Sequence, residues 1–370
     1  MSAVPWGGSE ELWSRAALHL KQLGNRVSAC VLGWAEMPNR LRDLESAGVE
    51  LFFRIRLART FPARVWHRLK RGTPEVAMAG RAAAWLLKQA PDLVCISMGN
   101  SQEGLQWIGL CRQLGLRYAI LVHGVYEVSW PDDRLAEEMA TLFHGARKCF
   151  FVSQHNLDLF QDQIAASLPD AGVVRNPFNV PFDPDLEWPA AEPFWRLASV
   201  GRLEPATKGQ DLLLRVLSAE RWKRRNLKVS FYGSGESFGA GVRKLAERYV
   251  PGQVDFQGHV SDVPQIWRSN HALIMPSRCE GMPLALVEAM LCSRMPIVTD
   301  IAGHSELVSH GFNGFLAKSP SVKHLDAALE EAWQRRDEWQ AMGRLARGTA
   351  LSHIPPHPEA EFAAILLALA

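Results

Sequence analysis

Apolar positions along the chain follow two alternating rhythms. Short continuous apolar runs alternate with stretches in which apolar residues recur at helical spacing. Leu12, Ala16, Leu20 and Leu23 mark one side of a helix that follows the Gly7-Gly8 turn, with Ser9 as its cap and Gly24 as its stop. A strand is predicted over Val27–Leu32. Further strands are predicted over Leu93–Ser97, Tyr118–His123 and Lys148–Ser153, separated by helices over Val76–Lys88, Leu105–Leu114 and Asp133–Phe143. The pattern restarts in the second half. Strands over Arg196–Val200, Lys228–Tyr232, Val254–Gly258, Ala272–Met275 and Pro296–Thr299 alternate with helices such as Gln210–Leu217. Residues 321–347 read as helical, Leu351–Pro358 as a Pro/His-rich connection, and Glu359–Ala370 as a closing helix that ends in nine apolar residues.

Strand–helix alternation of this kind implies an α/β fold with mostly parallel, doubly wound sheets. Turn, helix, strand is how such a sheet proceeds once its first strand has been made. Met1 to Val4 is too short for that strand, so either the true start lies upstream of Met1 or the sheet begins with a stub. The irregular, Pro-rich segment 175–185 reads as an interdomain linker. The expected division is 1–180, 181–350, and a C-terminal helix in 351–370 packing back on the first domain.

Composition narrows the function classes. A chain of 370 residues, 47% apolar and 22% charged, can bury two sizeable cores. Its formal net charge of +2 makes no electrostatic case for nucleic acid. Six scattered cysteines form no Cys-x-x-Cys pair and read as small core residues in a reducing compartment. No run is long enough for a membrane span, and the N-terminus lacks the layout of a signal peptide, so the expected location is cytoplasmic. Thirteen tryptophans read first as packing residues, with sugar stacking for one or two at most.

The chemistry concentrates in Glu280–Glu288, which reads Glu-Gly-Met-Pro-Leu-Ala-Leu-Val-Glu. Pro283 suits the first position of a helix. On that helix the neighbours of Glu288 are Leu284, Ala285, Leu291 and Cys292, so its carboxylate is either buried with partners or lines a cavity. Glu280 stands just ahead of the helix N-terminus, an end suited to a phosphate. A solvated glutamate on a surface helix is the weaker reading beside such apolar neighbours. Arg202 and Lys208 follow one strand end and can neutralise a diphosphate from across the cleft, and the strand-end position favours that over two ordinary surface cations. His123 also ends an apolar strand, where doubly wound sheets bind ligands. Asp183-Pro184-Asp185 is a turn rather than a metal motif. Gly233-Ser234-Gly235 lacks the third glycine of a dinucleotide fingerprint, since Phe238 falls there. Residues 50–71 mix Arg54, Arg56, Arg59, Arg64, Arg68, Lys70 and Arg71 with aromatic and aliphatic residues, without an acidic residue from 51 to 71. Two readings stand level there: a face for an anionic membrane surface or acceptor, and a strand and helix with solvated arginines.

These residues together resemble the retaining GT-B glycosyltransferases of group 1, which use sugar nucleotides and carry a Glu-x7-Glu motif. The segments that carry the resemblance are Ser199-Val200-Gly201-Arg202-Leu203 with Lys208-Gly209, Tyr232-Gly233-Ser234-Gly235, Phe256-Gln257-Gly258-His259-Val260, Met275-Pro276-Ser277, Glu280 through Glu288, and Gly303-His304-Ser305-Glu306 with Gly311 and Gly314. Gly7-Gly8-Ser9-Glu10, His123-Gly124, Ser153 and Asn176-Pro177 match in the first half. The resemblance implies two Rossmann-like domains facing across a cleft. It implies that Arg202 and Lys208 hold the diphosphate of a UDP- or GDP-linked sugar, that Glu288 binds the ribose, and that Glu280 with the amides of Gly281, Met282, Pro283 and Leu284 holds the donor sugar and its phosphate. Pro283 has no N–H to offer and enters only as part of that turn. It places His123 beside the reacting carbon, Gly8 near the phosphates, and the base near Gly233, Gly235 and Val260. It implies no metal and no cofactor beyond the nucleotide-sugar substrate, with the leaving phosphate taking the acceptor's proton.

The leading expectation is a retaining hexosyltransferase acting on a saccharide or lipid-linked acceptor in cell-surface polysaccharide or lipopolysaccharide synthesis, at the inner face of the plasma membrane. A nucleotide-sugar epimerase of the same fold is one alternative, distinguished by turnover without acceptor. A phosphorylase would need a cofactor-bearing lysine that the sequence does not display. A nucleotide-sugar sensor or scaffold is the non-catalytic alternative, distinguished by donor binding without transfer.

Overall fold

The computed structural model describes residues 6–34, 36–54, 74–190, 193–235 and 237–370. It divides into two compact units. One comprises residues up to Phe151, Leu157–Val174 and His357–Ala370; the other comprises Val152–Asn156 and Arg175–Pro356.

In the first unit the described strands are β1 (Ser28–Leu32), β2 (Glu50–Arg54), β3 (Val94–Met98), β4 (Tyr118–Val122), β5 (Cys149–Phe151) and β6 (Ala171–Val173). All pairings are parallel, in two pieces: β1 with β2, and β3-β4-β5-β6. Parallel strands covered on both faces read as unbroken apolar runs, and Tyr-Ala-Ile-Leu-Val of β4 is buried throughout. The helices are α1 (Gly8–Gln22), α2 (Asn39–Ser46), α3 (Pro74–Gln89), α4 (Leu105–Gln113), α5 (Asp133–His144) and α6 (Gln154–Gln163). Helix α1 ends where Gly24 takes φ +85°. There the Gly24 N–H donates to Lys21 and the Asn25 N–H to Leu20, closing a Schellman turn.

The second unit carries β7 (Trp195–Val200), β8 (Leu227–Tyr232), β9 (Val254–Gly258), β10 (Ala272–Met275), β11 (Met295–Thr299) and β12 (Phe315–Ala317) in the order β12-β11-β10-β7-β8-β9, again all parallel. Its helices are α7 (Pro205–Lys208), α8 (Gln210–Leu217), α9 (Glu220–Lys223), α10 (Gly239–Tyr249), α11 (Val263–Ser269), α12 (Leu284–Leu291), α13 (His304–Leu307), α14 (Val322–Gln334) and α15 (Trp339–His353). One continuous core runs beneath the sheet, with Trp222 and Trp339 fully buried in it. The strand order reverses between β7 and β10, and the crevice at that switch point is where such sheets bind ligands. The last helix, α16 (Pro358–Leu369), returns to the first unit. It packs on α1, and Phe362 meets Phe150 edge-on at 5.2 Å.

Several local readings change. Gly7, not Ser9, occupies the cap position of α1 with extended backbone, and Ser9 lies inside the first turn, where its Oγ donates to Glu10 at 2.9 Å. The stretch 321–347 is helical as read, in two helices parted by a 3-10 turn at Arg336–Glu338, where the Arg335 N–H and the Trp339 indole N–H both donate to the Ala332 carbonyl, at 3.2 and 2.8 Å. The connection read at 351–358 shortens, since α15 runs to His353 and α16 begins at Pro358. Segment 175–185 has no regular structure, yet it is packed, with Phe178 and Val180 buried. Of the basic-aromatic stretch only Glu50–Arg54 lies among the described residues; the remainder, like Met1–Pro5, lies outside them.

His271, fully buried, sits between Trp188 and Trp195 with ring centroids 5.4 and 5.0 Å away, and its Nδ1 accepts the Arg196 N–H. Burial, aided by the Arg196 charge, pushes its pKa from 6.5 down to about 4. The unfolded chain takes up this proton near pH 6.5 while the folded chain refuses it until about 4, so stability falls as pH drops through that window. The loss from this group should reach about 3 kcal/mol. Denaturant titrations from pH 7 to 4 should show His271→Asn losing less stability over this range than the parent; equal slopes would remove His271 as the cause.

Candidate functional site

The loops at the switch point are locked together by glycines. Gly201, just past β7, has φ +151°, and Gly233, just past β8, has φ +132°. A Cβ on Gly233 would fall 2.1 Å from the Gly201 carbonyl oxygen, and one on Gly235 would fall 2.6 Å from Leu203. The Gly-x-Gly after β8 is therefore required by the contact between the two loops. The Gly233 N–H donates to Gly258 at 2.6 Å, which brings the end of β9, and half-buried Val260 beyond it, to the same rim.

The loop after β10 docks on α7. Gly209 has φ +65°, and a Cβ there would lie 1.9 Å from the Pro276 carbonyl oxygen. The Arg278 N–H donates to Thr207 at 2.7 Å, and the Arg278 guanidinium grips Asp211 with two bonds of 2.7 and 2.9 Å. Burial alone would raise the Asp211 pKa, but the Arg278 hydrogen bond and charge outweigh it and hold that carboxyl below the usual range. This docking delivers the Lys208 ammonium to the Glu280 carboxylate at 2.6 Å. The sequence reading set Lys208 across from the Glu280 loop; the two are in contact. The Ser277 hydroxyl donates to the same Glu280 oxygen at 2.7 Å. Thr299 Oγ1 in turn donates to the Ser277 carbonyl at 2.6 Å. His304, fully buried, donates from Nδ1 to the Thr299 carbonyl, and burial lowers its pKa despite the opposing pull of Glu280. Arg202, 41% exposed at its side chain, pairs with Glu204 at 3.3 Å.

Helix α12 starts one residue later than the sequence implied. Pro283 is its cap (φ −73°, ψ 134°), Leu284 is its first residue, and no side chain caps it. Its leading amides are therefore open to an anion. The turn before it is held from behind: Gly281 accepts the Gly303 N–H at 3.1 Å, and Met282 accepts the Asn176 side-chain amide at 3.0 Å. Glu288, 3% exposed, is buried rather than solvated. Its Oε1 accepts both the backbone N–H and the side-chain amide of Asn179, each at 2.9 Å.

Arg202, Lys208, Gly233, Gly235, Val260, Glu280, Gly281, Met282, Pro283, Leu284 and Glu288 all belong to the second unit, on loops at one end of its sheet, at the end of α7 and on α12. His123 and Gly8 belong to the first. There His123 is buried just past β4, with Nε2 3.2 Å from Ser97 Oγ, and Gly8 is the exposed first residue of α1. Sequence reasoning missed Asn179, Glu204 and the Asp211–Arg278 pair. Only Asn179 left a signal, a polar residue repeated in Asn-Pro-Phe-Asn, and it was absorbed into the linker. Among the described residues no group of three or more His, Cys, Asp or Glu side chains is placed to hold a metal ion.

Residues 187–349 match the family described as glycosyl transferases group 1. An uncharacterized glycosyltransferase of Haemophilus influenzae is 33% identical over 139 residues, 36% of this chain and 38% of the relative. The UDP-Gal:alpha-D-GlcNAc-diphosphoundecaprenol alpha-1,3-galactosyltransferase of Escherichia coli is 41% identical over 72 residues, 20% of this chain and 19% of the relative. These alignments thus span well under half of each relative. The crystal structure of Anabaena HepE in complex with UDP and glucose superposes with a TM-score of 0.75 at 16% identity, covering 100% of this chain and 97% of that one, and shows that the fold is shared.

Asn179→Ala removes a donor to a buried carboxylate. It should lower stability by about 1 to 3 kcal/mol, read by denaturant unfolding. No change would mean that Glu288 does not depend on this contact.

Proposed function

We propose that the chain, whose residues 187–349 match the group 1 glycosyltransferase family and whose fold is shared with HepE, moves a sugar from a nucleoside diphosphate to a saccharide or lipid-linked acceptor with retention of configuration. One observation carries the reading. A lysine and a carboxylate meet at 2.6 Å beside the uncapped N-terminus of α12, at the switch point of a parallel sheet.

In the proposed reaction the bond from the anomeric carbon to the diphosphate oxygen breaks. The acceptor oxygen bonds to the same face of that carbon, and its proton leaves on the departing diphosphate. The leaving group develops charge, and Lys208, Arg202 and the Gly281, Met282 and Leu284 amides are the groups we assign to stabilise it, without need of a metal. Both cations are already paired, Lys208 with Glu280 and Arg202 with Glu204. The diphosphate would therefore exchange one anionic partner for another rather than meet bare charge, and Glu280, released from Lys208, would accept hydrogen bonds from the sugar hydroxyls. Glu288 is assigned to the ribose, and the rim of Gly233, Gly235 and Val260 to the base. A lipid-diphosphate acceptor is supported by the substrate named for the E. coli relative, and we assign contact with an anionic membrane to residues 50–71.

Glu280→Gln keeps the shape and removes the charge. Its kcat should fall at least ~100-fold while the melting temperature stays near that of the parent. Lys208→Ala should also abolish transfer, and calorimetry should show weakened binding of the nucleoside diphosphate. Transfer at parental rates by either variant would overturn the assignment. Proton NMR of the product settles configuration: an anomeric coupling constant matching the donor's supports retention, and an inverted one rules it out. A thermal-shift series with UDP, GDP and ADP sugars should identify the base through the nucleotide that raises the melting temperature.

A further inference from the structure

The two cations assigned to the diphosphate are paired with carboxylates of different standing. Glu280, beside Lys208, has a use once released, toward the sugar hydroxyls. Glu204, beside Arg202, has none in that scheme, and yet it is fixed in place. The Glu204 N–H donates to the Arg202 carbonyl at 2.9 Å, closing a tight turn. The same carbonyl accepts the side-chain amide of Gln210, 2% exposed, at 2.7 Å. Pro205 follows at once as the first residue of α7 and keeps Glu204 out of helical backbone, at φ −142° and ψ 87°. The Thr207 hydroxyl then donates to Glu204 Oε2 at 3.0 Å, and this oxygen is the one that meets the Arg202 guanidinium at 3.3 Å. The carboxylate is thus held beside Arg202 by contacts other than Arg202 itself.

A diphosphate that takes Arg202 therefore gains Glu204 as a neighbour. Donor and product differ in what that neighbour costs. In a sugar nucleotide the terminal phosphate is esterified to the sugar. After transfer it is free, and its second ionisation lies near pH 6. The acceptor's proton that it carries off is then lost to solvent at neutral pH. The product so bears about one more negative charge than the donor, on the terminal phosphate.

We propose that Glu204 is a specificity-determining residue that favours the sugar nucleotide over the nucleoside diphosphate it becomes, and so limits retention of the product. Its repulsion grows with each charge on the ligand, so it acts more strongly on product than on donor. The side chains of Arg202 and Glu204 are 41% and 27% exposed, which makes the effect a few-fold one. The inference rests on the assignment of Arg202 to the diphosphate in the transfer reading.

Calorimetry on the full chain, at one fixed low ionic strength, tests it with UDP, GDP and the methyl ester of each on the terminal phosphate. The esters carry the charge of a donor without its sugar. Glu204→Gln keeps an acceptor for Thr207 and removes the charge. Its Kd for the nucleoside diphosphate should fall at least ~3-fold, and its ratio of ester Kd to diphosphate Kd should rise at least ~2-fold over the parent's. Equal tightening of ester and diphosphate would overturn the proposal, because Glu204 would then only compete for Arg202. An unchanged ratio with unchanged affinities would overturn it as well, and would leave the transfer reading standing. A parent chain that binds none of the four ligands would overturn both together. Should Glu204→Gln fail to fold, Thr207→Val takes its place, since it frees the carboxylate from its tether. The ratio should again rise, and an unchanged ratio there would overturn the proposal.

Discussion

A carboxylate placed in an apolar setting must be bonded or it will not stay charged, and the second unit is arranged around two such groups. Glu280 and Glu288 sit at the two ends of one loop–helix element, 8% and 3% exposed. Each is satisfied by a segment distant in sequence: Glu280 by Lys208, and Glu288 by Asn179. Leaving a buried carboxylate short of a hydrogen-bond donor typically costs about 1 to 3 kcal/mol, so these contacts help fix where the loops run. Lys208 also balances the charge of Glu280 inside the protein, and that pairing can be exchanged for one with a ligand.

The glycines serve this arrangement from the other direction. Gly209 and Gly233 let backbones approach to distances no side chain would permit, and in doing so they bring Lys208 to Glu280 and bind the loops after β7 and β8 into one rim. Their identity follows from the fold before any ligand is considered. The resemblance that places the nucleotide nearby and the packing that demands glycine act on the same residues.

The legible part of the sequence was whatever depended on local pattern. The parallel strands of the second unit are short apolar runs, and the buried state of Glu288 follows from Leu284, Ala285, Leu291 and Cys292 around it on the helix. What escaped was set by tertiary pairing. That Asn179 bonds Glu288 depends on a segment whose prolines suggest a linker, and that Lys208 touches Glu280 depends on Gly209 meeting Pro276. The break between α14 and α15, which periodicity alone does not mark, goes with a 3-10 turn and an indole hydrogen bond from Trp339 to Ala332. Among the described residues the second unit has one continuous core, whereas the buried residues of the first fall into separate clusters.

The central claim is that the N-terminus of α12 and the Lys208–Glu280 pair together receive a nucleoside diphosphate. A crystal structure of the full chain with UDP or GDP tests it most directly. The account predicts the distal phosphate within hydrogen-bond distance of the Leu284 amide and of Lys208 Nζ, with the Lys208–Glu280 contact lengthened from its present 2.6 Å. A nucleotide bound elsewhere, with that contact unchanged, would contradict it.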